Sequence, residues 1–272
     1  MELNLNQILR FRLTLRSMKD HWRTTLILTF LFSGMAALYS GMYPAFKEVM
    51  IDFSESGALD QFAFIPGYQD MASYIGFLNI EMYQIFWVLI LGIIIGFIAA
   101  ASIAKEIESK TIDILMSNPV SRTQIIIEKF LGLIPMVLII NFIAMIVLML
   151  TTIAIGEELN FYYLFLTHLI SIPYFLSIIG IGLLTSTIFD EKMKASITTM
   201  AIVVAMFIFD SISQLTKDVE FLGYFSLKNY FNPYDALKFG EIDAIGTGVL
   251  ILVVIISLVA SIWYFNYKDI TV

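Results

Sequence analysis

The sequence predicts an all-α membrane protein, and two observations support that prediction. First, 59% of the 272 residues are hydrophobic and only 14% are charged, which is too apolar for a soluble domain of this length. Second, apolar runs of about 20 residues with almost no charge recur, and a helix of that length crosses the hydrocarbon core of a bilayer. We place six transmembrane spans, at residues 25–43, 83–104, 127–153, 162–187, 195–213 and 245–266.

The distribution of basic residues predicts the orientation of these spans. An even number of spans puts both termini on one side, and lysine and arginine accumulate in cytoplasmic loops. Of the 16 basic residues, only Lys47, Lys217, Lys228 and Lys238 fall on the face opposite the termini. We therefore expect a multi-pass protein of the cell (plasma) membrane with both termini in the cytoplasm.

Charge and cysteine content exclude some classes of function. The net charge of −7 is concentrated in the predicted outer loops, which argues against a nucleic-acid partner and leaves the lipid bilayer as the surrounding partner. The chain has no cysteine, so disulfides and thiol chemistry are excluded. Neither a phosphate-binding loop nor an H-E-x-x-H motif is present, and no catalytic or metal site is predicted.

Three segments outside the spans have an amphipathic or aromatic pattern. Residues 1–24 combine apolar and basic positions at helical spacing, which predicts an interfacial helix, either a simple membrane anchor or an elbow that also meets a cytoplasmic partner. The extracellular segment 44–82 is long and acidic and favours a short helix on the outer leaflet. The extracellular segment 214–244 is rich in aromatic residues and is broken at Asn232-Pro233, which favours a re-entrant or interfacial helix pair. We treat 1–272 as a single membrane domain.

Small residues recur at intervals of four in the second span, at Gly92, Gly96, Ala100 and Ala104. This spacing lets helix backbones approach closely, either within the chain or between two copies of it. Polar residues inside the spans are costly, so each is by default a candidate for function, here for a substrate path. They are Asn141, His168 and Asp210; the sequence favours an interhelical hydrogen bond for Asn141 and an interfacial or packing role for His168 and Asp210 over a substrate path.

The most informative stretch is the predicted cytoplasmic loop at 105–126. Lys105 to Glu108 continue the second span as a charged stub, Asn118-Pro119 breaks the helical run, and Ser121 precedes Gln124 in a capping-box pattern. Between the stub and the break, Ile112, Leu115 and Met116 share one face of a short amphipathic turn. That turn is either a lipid-facing interfacial element or a docking helix for a soluble protein.

The run "KEIESKTIDILMSNPVSRTQIIIEKF" resembles the signature of permease subunits of the ABC-2 type transporter family. The matching positions are Glu106, Glu108, Thr111, Leu115, Pro119, Val120, Ser121, Arg122 and Lys129. Lys110 departs from the pattern, because the family commonly has glycine there. The close match covers about 25 residues, and the six spans and the charged tail extend it loosely to the whole chain.

The resemblance implies a transporter subunit without enzymatic activity of its own. The loop would be a coupling helix that docks on a separate cytoplasmic ATP-binding subunit, which carries ATP and Mg²⁺, and a second permease chain, identical or homologous, would complete the assembly. The residues implied in coupling are Glu106, Glu108, Thr111, Ile112, Leu115, Met116, Pro119 and Arg122, with Asp190 and Glu191 as a second contact. The implied function is export, and the apolar side chains of the spans favour an amphipathic peptide, a lipid-like molecule or a drug as the cargo.

Other classes of function fit the sequence less well. An ion- or proton-driven secondary transporter would require titrating groups at mid-membrane. The sequence offers only His168 and Asp210, and both lie near one edge of the membrane. An intramembrane enzyme would require paired catalytic residues, and a scaffold would leave the capped, proline-broken loop unexplained.

Overall fold

A computed structural model describes residues 12–56, 65, 67–112 and 120–269. Every secondary-structure element in this part of the chain is a helix, and it contains no strand. Eight α-helices follow one another in chain order. They are α1 (Arg12–Glu55), α2 (Tyr74–Leu78), α3 (Gly92–Glu108), α4 (Arg122–Ile155), α5 (Phe161–Ile188), α6 (Lys192–Ser213), α7 (Pro233–Phe239) and α8 (Ala244–Tyr267). A π-helical segment, Asn79–Leu91, joins α2 to α3, and short 3₁₀ segments occupy Tyr68–Asp70, Lys217–Phe225 and Lys228–Tyr230.

Within the described residues, six helical stretches are long and apolar enough to cross a membrane, which agrees with the predicted number of spans. They are Leu13–Asp52, Tyr74–Glu108, Arg122–Ile155, Phe161–Ile188, Lys192–Ser213 and Ala244–Tyr267. Most extend beyond the predicted limits, because polar residues flanking the apolar runs continue the helix. The protein is therefore a multi-pass membrane protein.

Consecutive spans run in opposite directions, so the bundle has two distinct ends. We call the end where α1, α4 and α6 begin and α3, α5 and α8 stop the basic end, and the other the opposite end. Helix α5 lies at the centre and packs against α3, α4, α6 and α8, whereas α1 packs mainly along α4. Of the six spans, α5 has the most deeply buried apolar stretch within the described residues.

Small residues allow α3 and α5 to approach closely. A Cβ atom on Gly182 of α5 would lie 2.7 Å from the Ala99 Cβ and 3.0 Å from the Gly96 carbonyl oxygen. A Cβ on Gly96 would in turn lie 3.0 Å from Thr199 of α6. The close backbone approach predicted for the second span is confirmed, and here it serves contacts within the chain.

The predicted elbow is not confirmed as a separate element. From Arg12 onward, α1 continues without interruption through the first span and Pro44 to Glu55. Residues 1–11 of the predicted elbow lie outside the described residues. At the start of α1, two backbone N–H groups, of Leu13 and Thr14, donate to the Glu128 carboxylate of α4 at 2.9 and 3.0 Å.

The segment before the last span is ordered by short helices at the opposite end, and a re-entrant pair is not confirmed. Asn232 caps α7, because its Oδ1 accepts from the backbone N–H groups of Tyr234 and Asp235 at 3.1 and 3.3 Å. Phe231 is buried and stacks on Tyr174 of α5, with ring centroids 5.5 Å apart. The aromatic segment is therefore anchored on the bundle by a buried ring.

Lys238 joins the two outer segments. Its ammonium donates to the Tyr234 hydroxyl at 2.8 Å and to the Asp70 carboxylate at 2.9 Å. These hydrogen bonds, the Tyr234 bond first, raise the pKa of Lys238 above its usual value. The first outer segment is thus attached to α7 through a charge pair.

Candidate functional site: the basic end and the buried polar groups

Glu106 links the end of α3 to the start of α4. Its carboxylate accepts a hydrogen bond from the Lys129 ammonium at 3.2 Å and from the Thr111 hydroxyl at 2.5 Å. The Glu106 and Lys129 side chains are 26% and 12% exposed, so solvent screens this ion pair less than a surface pair. Three residues predicted from the signature are therefore in direct contact.

Glu108 joins the same loop to α6. Its Oε2 accepts from the backbone N–H of Lys192 at 2.8 Å, at the first residue of that helix. A carboxylate at a helix N-terminus is favoured because it satisfies an unpaired N–H and lies at the positive end of the helix dipole. The loop at 105–126 and the turn at 190–192, which the sequence could only place in separate contacts, meet here.

The chain turns sharply between Thr111 and the stub. Lys110 has φ of +54°, and it is the only described residue other than glycine with a positive φ. Ile112 follows and is fully buried in the main apolar core. Of the residues predicted for coupling, Leu115, Met116 and Pro119 lie outside the described residues.

Arg122 contacts the end of the last helix. Its Nη1 donates to the carbonyl oxygens of Phe265 and Lys268 at 2.6 and 2.7 Å, where α8 leaves its acceptors unpaired. The helix α4 itself begins with the predicted cap, because Ser121 Oγ accepts from the Gln124 N–H at 3.1 Å. The Gln124 side chain does not complete the box; it donates to Glu128 Oε1 at 2.6 Å.

Lys268 closes the end of α5. Its ammonium donates to the carbonyl oxygens of Thr187 and Ile188 at 2.8 and 3.1 Å and pairs with Asp190 at 2.6 Å. Glu191, the other residue of the predicted second contact, pairs with exposed Lys194 at 2.6 Å. The start of α4, the tail after α8 and the turn after α5 are therefore joined into one network.

Sequence reasoning did not single out Glu128 at this end. It is 2% exposed and receives the Leu13, Thr14 and Gln124 donors described above. A glutamate beside Lys129 at the start of an apolar run was the available signal. Its partner lies 115 residues away in the chain, so the pattern gave no indication of the contact.

Asn141 and His168 form one buried network between α4 and α5. His168 Nδ1 lies 2.6 Å from Asn141 Oδ1, and Asn141 Nδ2 donates to the His168 carbonyl oxygen at 2.7 Å. The His168 Nε2 lies 3.0 Å from the Tyr83 hydroxyl. This arrangement fits a neutral imidazole that donates from Nδ1 to Asn141 and accepts at Nε2 from Tyr83. Both residues are fully buried and hydrogen-bonded to each other.

Asp210, near the C-terminal end of α6, has a different partner. Its Oδ2 accepts from the Lys228 ammonium at 2.6 Å, and the two side chains are 2% and 5% exposed. The ammonium also lies 4.9 Å from the ring centroid of Phe207. The three residues predicted for a substrate path are thus not brought together. Lys228 had been counted only as one of the four basic residues of the outer face.

A family model for ABC-2 family transporter proteins matches residues 11–270, which is nearly the whole chain. The chain belongs to the ABC-2 transporter family. This ABC-2 protein is accordingly a membrane permease of an ABC transporter, and permeases of this kind are transport components rather than catalysts. No curated protein sequence matches the chain.

Lys110 occupies a position at which the ABC-2 signature commonly has glycine. The left-handed φ of Lys110 is the conformation that glycine adopts without steric cost. The backbone of this ABC-2 permease therefore retains a turn for which lysine is poorly suited.

Proposed function

We propose that this ABC-2 permease is the membrane-spanning subunit of an ATP-binding cassette exporter in the cell membrane, with both termini in the cytoplasm. The segment 105–126 docks on a separate ATP-binding subunit that carries ATP and Mg²⁺. Two permease chains, identical or homologous, form the translocation path between them. The coupling residues are those predicted from the signature, with Asp190 and Glu191 forming a second contact.

The observation that carries this proposal is the pair of acidic residues at the end of α3. Glu106 contacts α4 through Lys129, and Glu108 contacts the first N–H of α6. A force applied to the loop that follows Glu108 therefore reaches three spans at once, which are α3 itself, α4 through Glu106 and α6 through Glu108. This arrangement supports a transmitting role over a lipid-facing turn, for which no contact with other spans is needed.

ATP bound by the partner can shift this chain between conformations only if docking differs between them. The ion pair of Glu106 and the helix-terminal bond of Glu108 are short-range contacts that a tilt of α3 would break or make. Changes in these contacts supply the difference in free energy between an inward-open and a closed state. ATP hydrolysis remains on the partner subunit.

The cargo class follows from the character of the spans. Phe, Ile, Leu and Met dominate the spans, and the polar side chains of Asn141, His168 and Asp210 are held by other groups of the chain. Such a path favours an amphipathic peptide, a lipid-like molecule or a drug over a sugar or a bare ion.

The double variant Glu106→Gln/Glu108→Gln tests the coupling role. It removes both charges but keeps side-chain size, so we expect normal membrane insertion, with ATP hydrolysis by the co-expressed partner no longer tied to transport. ATPase rate and vesicle uptake of a hydrophobic dye, measured on the same preparation, give the ratio that reports coupling.

The matched control is Glu157→Gln, which breaks the ion pair with Lys47 at the opposite end, 3.1 Å long. It should leave the ratio unchanged. If the double variant keeps the wild-type ratio of uptake to hydrolysis, the coupling assignment is wrong.

A second experiment tests whether an ATPase is present at all. The tagged chain is extracted gently from its native membrane, and co-purifying proteins are identified by mass spectrometry before and after residues 111–117 are replaced by a Gly/Ser linker. A soluble protein with a phosphate-loop motif should co-purify and be lost on replacement. Purification of the chain with no ATPase would contradict the proposal.

An ion- or proton-driven carrier is not favoured. His168 is engaged by Asn141 and Tyr83, and Asp210 is engaged by Lys228. A proton-carrying group must exchange with water on both sides during transport, and neither contact offers a continuous line of such groups.

A further inference from the structure

A groove of about 210 Å³ lies between α1 and α4, in the half of the bundle nearest the basic end. Its walls are mainly apolar, and Trp22, Leu26 and Ile139 form an exposed rim on the outer surface of the bundle. Because the outer surface of the spans faces lipid, the groove opens towards the bilayer. A cavity of about 150 Å³ accepts a molecule the size of benzene, so this groove can accommodate a short stretch of an acyl chain.

The sequence of α4 leaves the space for this groove. Gly132 has no side chain and touches α1, because a Cβ added there would lie 2.5 Å from Ser17 Cβ. One turn further on, Pro135 lies inside the helix, where it removes a backbone hydrogen bond and favours a bend. On α1, the Thr25 hydroxyl donates to the His21 carbonyl oxygen of its own helix at 2.9 Å. The wall hydroxyl is thus engaged, and the groove suits a hydrocarbon chain better than a polar group.

The groove lies at the level where α1 leaves the apolar core of the membrane. Residues 24–46 carry no charge, and at 1.5 Å per residue they extend about 35 Å, close to the roughly 30 Å of a bilayer core. Arg23 therefore marks the edge of the core, and Trp22 beside it lies at the depth where tryptophan is enriched. The groove extends from Met18 to Leu26 and so includes both sides of this edge. A phospholipid places its headgroup and the start of its acyl chains at the same level.

Lys19 and Arg23 supply positive charge beside the groove. With Arg16 they recur at intervals of three and four, so they share one face of α1, next to Trp22. The Arg23 guanidinium lies 5.6 Å from the centre of the Trp22 ring, which places it at the rim. All three basic side chains are exposed, and none forms an ion pair with another described residue. Asp20 is the one acidic residue at positions 12–47, so positive charge predominates.

We propose that this groove binds one acyl chain of an anionic phospholipid, whose phosphate group is held by Lys19 and Arg23. Charge complementarity selects the headgroup, because an anionic headgroup is attracted by both cations, whereas a zwitterionic one also carries an ammonium group that they repel. The second acyl chain stays in the bilayer, into which the groove opens. The proposal does not depend on coupling to an ATPase, because lipid binding is an equilibrium property of the permease itself.

Trp22 provides a direct readout, because a brominated acyl chain quenches the fluorescence of a tryptophan that it contacts. Trp263→Phe removes the other exposed tryptophan, and Trp87 is fully buried. This protein is placed in phosphatidylcholine nanodiscs that contain increasing fractions of brominated phosphatidylglycerol or brominated phosphatidylcholine. The anionic lipid should half-saturate quenching at a mole fraction at least about fivefold lower, the contribution of one basic side chain beside an anionic surface. Nanodiscs expose both faces, so membrane orientation does not affect the result.

A charge comparison tests the role of the two cations. Lys19→Gln/Arg23→Gln should abolish the preference for the anionic lipid. The matched control is Lys192→Gln/Lys194→Gln, which removes two charges from the start of α6 at the same end of the bundle and should keep the preference. Each variant is normalised to its fluorescence in lipid without bromine. A preference that survives Lys19→Gln/Arg23→Gln would overturn the proposal.

A second comparison tests the groove itself without changing any charge. Ile139→Phe adds volume at the exposed rim and should weaken quenching by the anionic lipid, whereas Ile146→Phe, two turns further along α4 and equally exposed, should not. If the two brominated lipids quench Trp22 equally at every mole fraction, the groove holds ordinary bulk lipid and the proposal fails. If neither lipid quenches Trp22, another occupant fills the groove, and the proposal fails as well.

Discussion

Lys110 holds its backbone in the left-handed region, with φ of +54°. A residue with a Cβ loses about 1 kcal/mol there relative to glycine. We therefore predict that Lys110→Gly stabilises the isolated permease by about 1 kcal/mol, measured by reversible unfolding in mixed detergent micelles.

The reciprocal change provides the control. Gly156 ends α4 with φ of +75°, and a Cβ added there would meet no atom within 4 Å. Gly156→Ala should therefore destabilise the protein through backbone conformation alone. An unchanged stability for both variants would refute the strain assigned to Lys110.

Lys228 and Asp210 are almost fully buried, and removing one charge should cost far more than removing both. Lys228→Met leaves the Asp210 carboxylate without its partner, and we expect a loss of about 3 to 5 kcal/mol in unfolding free energy. The double variant Asp210→Asn/Lys228→Met removes both charges and should recover most of that loss. The same denaturation assay checks it, and a double variant no more stable than the single one would contradict the buried pair.

At the scale of elements, the contact of α3 with α5 determines how closely the central spans approach. Gly182→Ala places a methyl group 2.7 Å from the Ala99 Cβ, so the helices must separate or shift. Overpacking of this kind typically costs about 1 to 3 kcal/mol. We predict a corresponding fall in the thermal unfolding midpoint of the reconstituted protein.

Gly34 in α1 is the matched control for this contact. A Cβ there meets no atom within 4 Å, so Gly34→Ala should be neutral or slightly stabilising through its better helix propensity. Equal losses at both glycines would show that the space between α3 and α5 does not govern the effect.

At the scale of the whole molecule, we predict that the basic end of the bundle faces the cytoplasm and the opposite end faces the outside of the cell. Glu158 and Lys194 are both exposed and lie at opposite ends. In the cysteine-free chain, a membrane-impermeant maleimide added to intact cells should label Glu158→Cys and spare Lys194→Cys. Labelling of Lys194→Cys before lysis would reverse the proposed orientation.

The six spans could be predicted because apolar length is a local property of the sequence, and the family because its signature is local too. The cap at Ser121 and the close approach at Gly96 were predictable for the same reason. The partner of Glu108 is an N–H group 84 residues away, and that of Arg122 is a carbonyl 143 residues away. Such contacts depend on how the spans pack, and no local pattern specifies them.

The elbow and the detailed arrangement of the outer segments could not be predicted from the sequence for the same reason. Amphipathic spacing indicates that a helix has two faces, but it does not indicate whether that helix bends before the membrane. In this protein, the segment from Arg12 joins the first span in one helix, because Glu128 of α4 caps its start and α4 supports its length.

The length of α1 has a mechanical consequence. Its 44 residues extend over about 66 Å at 1.5 Å per residue, whereas a bilayer with its headgroups is about 40 to 45 Å thick. The helix must therefore reach water on at least one side even when strongly tilted. We therefore expect a small tilt at the end held by Glu128 to move the far end of α1 by a larger distance, with Pro44 as the point at which the helix can bend.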